Sequence, residues 1–283
     1  MNYRHAFHAG NFADVFKHIL LTRILLHLGR KATPFRYIDT HAGVGLYNLQ
    51  GDEARRSGEW PRGIGRITPG NVPADVLPLI EPYLDLVGPR DGTGCPTLYP
   101  GSPSIALGIA RPQDRLVFCE LHPTDAALLR KGLGRANRAK VVEIDGYVAL
   151  NAYVPPQERR GLVLIDPPFE DRGEFEAMLD GLVAAHRKWP TGIYALWYPL
   201  KDRTAVSRFA NQLIASGIPR IAQVELVIDW TALDVGKLAG CGMILVNPPF
   251  GLEDEARLLL PYLAKTLTQS EPGSWQWRWL AGE

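Results

Sequence analysis

Apolar residues recur at helical spacing from Phe12 through Val15, Phe16, Ile19, Leu20 and Ile24 to Leu28. This predicts an amphipathic helix over 11–30, with Asn11 as its cap and Gly29 closing it. Phe35-Arg36-Tyr37-Ile38-Asp39 then reads as a short strand running into the glycine turn Thr40-His41-Ala42-Gly43-Val44-Gly45. There the periodicity lapses. Gly51, Gly58, Pro61, Gly63, Gly65, Pro69, Gly70, Pro73 and Pro78 punctuate the next stretch. A structureless connection of that length is uncommon inside a compact domain, so 48–98 is expected to be an inserted small helical subdomain with a helix around 74–86.

Regular rhythm returns at Pro100-Gly101-Ser102-Pro103, a helix start signal. Strands follow at 116–120, 140–144, 161–165, 193–198, 221–228 and 243–246, separated by helices over 124–132, 173–188 and 203–216. Gly161-Leu162-Val163-Leu164-Ile165 is continuously apolar, as a strand buried on both faces should be. The alternation predicts an α/β fold: a doubly wound, mainly parallel sheet of seven strands. The chain is read as one domain over 1–283, with an N-terminal helical extension over 1–30 and the insertion over 48–98.

Composition narrows the function classes. Thirty-one Lys and Arg against thirty Asp and Glu leave a net charge of +1, so nucleic acid would have to be gripped by local patches. Two patches stand out: Arg55, Arg56, Arg62 and Arg66 in the insertion, and Arg130, Lys131, Arg135, Arg138 and Lys140. The second reads as a solvated face, the first as an RNA contact beside the site. The three cysteines, Cys95, Cys119 and Cys241, form no CxxC pair, so neither zinc nor a disulfide framework is expected, and Cys119 and Cys241 read as core. The N-terminus lacks a signal peptide's apolar stretch and no run is long enough to span a membrane. A cytoplasmic monomer without metal is expected.

In an open α/β sheet, ligands bind beyond the carboxyl ends of the strands. Here those ends carry the glycine turn, then Glu120, then Asp145-Gly146, then Asp166-Pro167-Pro168-Phe169. Two acids on consecutive strands suit a nucleoside: one accepts ribose hydroxyls, the other an adenine amine. The glycine turn is not G-x-G-x-x-G and opens no helix at once, which suits a ligand without a pyrophosphate. In Asp-Pro-Pro-Phe, the prolines stiffen the backbone, the aspartate and a carbonyl can accept both hydrogens of an amine, and Phe169 offers a stacking face. Such acceptors would aim the nitrogen lone pair at a methyl donor, S-adenosylmethionine, in an in-line transfer. The echo Asn247-Pro248-Pro249-Phe250 follows the last predicted strand, far from the glycine turn, and reads as a structural turn.

This order of motifs resembles the class I amino-methyltransferases. More narrowly, Tyr3-Arg4-His5-Ala6-Phe7-His8-Ala9-Gly10-Asn11, Asp14-Val15 and Lys17-His18 resemble the start of the RlmJ family. So do Asp39-Thr40-His41-Ala42-Gly43, Tyr99-Pro100-Gly101-Ser102-Pro103, Glu120-Leu121-His122-Pro123 and Ala195-Leu196-Trp197-Tyr198-Pro199. The likeness covers essentially the whole chain. Val44 stands where a smaller residue is expected, and Phe169 replaces the commoner tyrosine.

The resemblance implies a class I, Rossmann-like methyltransferase acting on the N6 amine of an adenine in 23S rRNA, with S-adenosylmethionine as cofactor and S-adenosylhomocysteine as product. It implies cofactor contacts from Lys17, His18, His41, Gly43, Ser102, Glu120, Asp145, Gly146 and Asp166, with Asp166 as the catalytic acceptor within Asp166–Phe169. Tyr3, Arg4 and Phe169 would meet the RNA. Spacing alone favours a buried, hydrogen-bonded histidine at 18 and a helix-capping hydroxyl at 102. Rival readings are a DNA adenine-N6 methyltransferase, a protein-glutamine methyltransferase, and a non-enzymatic nucleoside- or RNA-binding protein on the same sheet.

Overall fold

A computed structural model describes residues 4–91, 95–134, 136–171, 173–269 and 273–282. Its first long element is α1 (Phe12–Gly29), whose start is fixed by Asn11: the side-chain oxygen accepts the Ala13 and Asp14 amides at 2.9 and 3.0 Å. The expected amphipathic helix is instead buried on nearly every face, from Phe12 through Leu25 and again at Leu28. A helix enclosed on all sides belongs in a core, and its buried charges Asp14, Lys17 and Arg23 are each ion-paired.

Strand β1 (Arg36–Asp39) runs into the glycine turn. The 48–98 stretch is then bracketed by a two-stranded antiparallel ladder, β2 (Leu46–Asn48) on β3 (Leu98–Pro100). Between them lie α2 (Asp52–Ser57), three single-turn 3-10 segments and α3 (Leu77–Val87). Gly10 and Ile64 join the segment to the N-terminal region through a backbone hydrogen bond of 2.9 Å.

Beyond the ladder come α4 (Ser102–Ile109), β4 (Arg115–Glu120), α5 (Pro123–Leu133), β5 (Ala139–Glu143), α6 (Gly146–Tyr153) and β6 (Gly161–Ile165). They are followed by α7 (Glu174–Lys188), β7 (Ile193–Leu200), α8 (Arg203–Ala215), β8 (Ile221–Val227), α9 (Trp230–Asp234), β9 (Gly240–Val246), α10 (Leu252–Leu267) and β10 (Ser274–Ala281). The main sheet has the order β10-β8-β9-β7-β6-β1-β4-β5, and its β7-β6-β1-β4-β5 part is parallel. Strand β9 runs antiparallel between β7 and β8. This is the class I methyltransferase order, with one strand more than the seven expected.

The extra strand is β10. It pairs antiparallel with β8 from Ser274 opposite Val227 to Ala281 opposite Ile221. A buried polar network pins that edge: Glu225 accepts from Tyr198 at 2.8 Å and from Gln223 at 3.0 Å, and also takes the Gln276 amide of β10.

The sheet is covered on both faces. Tyr37, Leu162 and Leu164 point to the side packed by α1, α3, α4 and α10, whereas Ile38, Val163 and Ile165 face α6, α7 and α8. That division explains why β6 is apolar at every position. Cys119 and Cys241 are buried, as expected of core residues. No helix among the described residues is long and apolar enough to cross a membrane.

Candidate active site

A cavity of about 670 Å3 opens at the carboxyl edge of the parallel strands. It is walled by the ends of β1, β4, β5, β6 and β7, by α1 and by the N-terminal turn before it. Nine of the expected site residues line it: Lys17, His18, His41, Gly43, Ser102, Glu120, Asp145, Gly146 and Asp166. Pro167, Pro168 and Phe169 line it too. Of the three residues expected to meet RNA, Phe169 is thus at the cavity. Arg4 is exposed, 3.9 Å from Glu53, and is not part of the lining. Tyr3 lies outside the described residues.

At the centre is a buried ionic chain. Lys17 Nζ lies 2.9 Å from Asp14 Oδ1 and 2.6 Å from Asp166 Oδ2. Asp14 is further held by the Gly10 amide and by His5 Nε2, each at 2.9 Å. Burial disfavours the Lys17 charge, but the two carboxylates outweigh it and hold the ammonium well above the ordinary lysine range. Burial likewise opposes the Asp14 charge, and His5 and Lys17 pull it well below the usual carboxylate range.

Buried His18 and half-buried His41 are both neutral at physiological pH. Burial pushes His18 down to about 3; its Nδ1 is 2.8 Å from the Tyr99 hydroxyl, which is 3.0 Å from that of Tyr83. Burial lowers His41 to about 4, and its Nδ1 is 2.8 Å from the Thr40 hydroxyl. His18 is therefore a hydrogen-bonded buried residue and also part of the cavity wall. The two readings are compatible.

Glu120 is fixed by backbone alone. The Gly43 and His122 amides each donate to one of its oxygens at 2.8 Å, while burial raises its carboxyl above the usual value. Gly43 has φ +63°, and any Cβ there would strike the Tyr47 hydroxyl, so both its conformation and its surroundings demand glycine. Val44 packs partly buried against the core, where its bulk is accommodated. Asp145 caps α6 through one oxygen, accepting from Tyr147 and Val148 at 2.9 and 3.0 Å. A Cβ on Gly146 would come within 2.6 Å of the Thr40 carbonyl oxygen, so glycine lets the β5 end close on the glycine turn.

Phe169 adopts φ +50°, a left-handed conformation that costs a non-glycine residue about 1–2 kcal/mol. Edge-on rings of Phe175 and Trp197, at 5.1 and 6.0 Å, hold it there. Ser102 is the first residue of α4, with Gly101 at the cap position. The capping role is therefore not the one it takes; its hydroxyl hydrogen-bonds Asp39 instead.

Sequence reasoning passed over several of these residues. Asp14, His5, Tyr147, Glu174 and Trp197 all line the cavity. Asp39 sits fully buried behind it, accepting from the Tyr37 hydroxyl at 2.9 Å. The signal for Asp14 was present: Asp14, Lys17 and His18 share one face of an otherwise apolar helix. Arg66, grouped with the expected RNA patch, donates instead to the carbonyls of Thr266 and Thr268 at 3.3 and 2.5 Å. The Asn247 motif lies at the opposite edge of the sheet, because β9 is antiparallel to β7. Its side chain ties down the Pro190 and Gly192 carbonyls at 2.9 and 2.8 Å, as a structural turn would.

The family model for "Ribosomal RNA large subunit methyltransferase D, RlmJ" matches residues 32–281. The chain belongs to the RlmJ family of methyltransferases. Ribosomal RNA large subunit methyltransferase J of Escherichia coli strain K12 is 41% identical over 284 residues, covering 100% of both chains. The Haemophilus influenzae protein of the same name is 39% identical with the same coverage. Among solved structures, protein LPL1258 of Legionella pneumophila superposes with a TM-score of 0.87 at 33% identity, over 96% of this chain and 98% of that one. An RlmJ-family chain is an enzyme, so the cavity is a candidate catalytic centre.

Proposed function

We propose that this protein transfers a methyl group from S-adenosylmethionine to the N6 amine of an adenine in 23S rRNA. The observation that carries the reading is the clustering of Glu120, Asp145 and Asp166 around one cavity, in a chain of the RlmJ family.

The lining suits that cofactor. Acidic groups from β4, β5 and β6 converge there, whereas Lys17 is already flanked by two carboxylates. Such a site favours a ligand carrying a sulfonium and an ammonium over a polyphosphate. Glu120 would accept ribose hydroxyls, its orientation preset by the Gly43 and His122 amides. Asp145 has a second oxygen for an adenine amine, and Lys17, His18, His41, Gly43, Ser102 and Gly146 shape the remaining wall. When bound, the cofactor supplies an electrophilic methyl group.

The chain's own residues do the positioning. An adenine amine is a weak nucleophile because its lone pair is delocalised into the ring. Asp166 Oδ2 is held by Lys17, which leaves Oδ1 to accept one amine hydrogen, while the stiff Pro167-Pro168 segment supplies a carbonyl for the other. Held so, the nitrogen can become tetrahedral and direct its lone pair at the methyl group. Phe169 stacks on the base, and Tyr3 and Arg4 meet the RNA around it. A cytoplasmic setting follows from an rRNA substrate.

Labelled-methyl transfer tests the reading: incorporation is expected into 23S rRNA lacking the modification, and not into duplex DNA. Incorporation into duplex DNA with none into rRNA would favour a DNA adenine methyltransferase instead.

A further inference from the structure

The carboxyl edge of the sheet carries a second concavity. A cleft of about 400 Å3 opens between the start of α8 and the loop that links β8 to β9, lined by Lys201, Asp202, Arg203, Leu233 and Gly236. It adjoins the catalytic cavity: Lys201 lines both, and Leu238 of the same loop closes the catalytic one.

Arg203 links the cleft to an aromatic ring just outside its lining. The Arg203 guanidinium lies over the Trp230 ring, 4.6 Å from its centroid, and both residues are exposed. Among the described residues no carboxylate forms an ion pair with Lys201, Arg203 or Lys237. Asp202 and Asp229 are engaged locally. Asp202 caps α8 by accepting the Thr204 amide at 2.7 Å, and Asp229 caps α9 by accepting the Thr231 amide at 3.0 Å. Arg203 does not serve its own helix either, since a cation in the first turn opposes the helix dipole.

An arginine stacked on an indole by one face presents its other face as a flat, cationic platform. Unpaired bases stack on such platforms, and a neighbouring ammonium can meet the phosphate between two nucleotides. We infer that this cleft is a second nucleotide subsite, in which the Arg203–Trp230 pair stacks an unpaired base adjacent to the target adenosine and Lys201 contacts the linking phosphate. The inference rests on the RNA-methylation reading and extends it. The strand would enter with its target base in the main cavity and its neighbour splayed beside it, which demands a single-stranded or locally opened RNA.

The test combines anisotropy of a short fluorescent single-stranded oligoribonucleotide with methylation kinetics on 23S rRNA transcript, for the parent and for Arg203→Ala, Arg203→Lys, Trp230→Ala and Trp230→Phe. Arg203→Ala and Trp230→Ala should weaken oligonucleotide binding and raise KM for rRNA on the order of tenfold, with S-adenosylhomocysteine affinity retained as proof of folding. Trp230→Phe should stay close to the parent, because an aromatic ring remains. Arg203→Lys should be nearly as weak as the alanine variant. Full recovery in Arg203→Lys would make the residue a simple phosphate contact and overturn the stacking subsite, as would changes below twofold in both alanine variants. The two readings fail separately. If the parent binds the oligonucleotide through Arg203 yet methylates no rRNA, the rRNA reading falls and the subsite stands; if methylation proceeds and binding ignores Arg203 and Trp230, the subsite alone falls.

Discussion

Lys17 and Asp166 are separated by 149 positions in the chain, yet Nζ and Oδ2 meet at 2.6 Å in the floor of the catalytic cavity. The contact docks the N-terminal helix onto the end of β6 and takes up one oxygen of the residue proposed to accept the adenine amine. Lys17 is 4% exposed, so this pair is shielded from salt and solvent in a way that surface ion pairs are not.

Replacing Lys17 by methionine should therefore disable catalysis without a change at the target base. Asp14 and Asp166 would face each other across a buried gap with no cation between them, a situation that favours proton uptake by the pair. The expected result is a fall in kcat on the order of 10²-fold at neutral pH. The acid limb of the pH–rate profile should also move to higher pH. A profile parallel to the parent's would show that Lys17 is only a packing residue.

Glu120→Ala should weaken S-adenosylhomocysteine binding by roughly 10- to 100-fold, the value of one or two charge-assisted hydrogen bonds. Because Glu120 also secures the Gly43 amide at 2.8 Å, Glu120→Gln should lose less than alanine: it keeps an acceptor for the turn and forfeits the charge. Calorimetry distinguishes these cases. Equal affinities in parent and alanine variant would reduce Glu120 to a residue that shapes the turn.

Asp39 makes a prediction about stability. Burial is the main cause that raises its carboxyl to about 6, against the hydrogen bonds from Ser102 and Tyr37. Between the usual value near 3.8 and about 6, the unfolded chain ionises while the folded one keeps the proton. Stability from this group thus falls as pH rises through that window and is level above it, a change on the order of 3 kcal/mol. Asp39→Asn should remove that slope, as read from urea midpoints between pH 4 and pH 7. An unchanged slope in the variant would place the titration elsewhere.

The arginines of the 48–98 segment should separate into two kinds. Arg66 bonds the carbonyls of Thr266 and Thr268 at the C-terminal end of α10, so Arg66→Ala should cost about 1–3 kcal/mol of stability with little effect on the salt dependence of RNA binding. Arg55, Arg56 and Arg62 are exposed, and replacing the three together should flatten the log–log salt slope by somewhat under one unit for each phosphate no longer neutralised. The opposite assignment of the two effects would exclude this segment from the RNA interface.

Much of the site was legible because parallel strands buried on both faces leave a plain apolar signature, and the residue just past each strand is then easy to find. Glu120 and Asp166 were read in that way, whereas Asp145 follows the half-exposed edge strand β5 and was marked by its Asp-Gly pair. What stayed hidden depends on long-range pairing. The strand β10 carries an alternating Trp275, Trp277 and Trp279, a period-two pattern, but its pairing with β8, from Ser274 opposite Val227 to Ala281 opposite Ile221, joins segments that no local pattern connects. The burial of α1 on all faces was likewise invisible in one chain, since it takes α3, α4, α10 and the sheet together to enclose it. Asp14 carried a local signal, a charged trio on an apolar helix, whose meaning depends on the distant Asp166.

The most direct measurement is single-turnover methyl transfer by Asp166→Ala to unmodified 23S rRNA, with S-adenosylhomocysteine binding measured on the same preparation to establish folding. Loss of one acceptor to the amine should lower the rate on the order of 10²–10³-fold, with cofactor affinity changed far less. Turnover at a tenth of the parent rate or more in a folded, cofactor-binding variant would contradict the role given to Asp166.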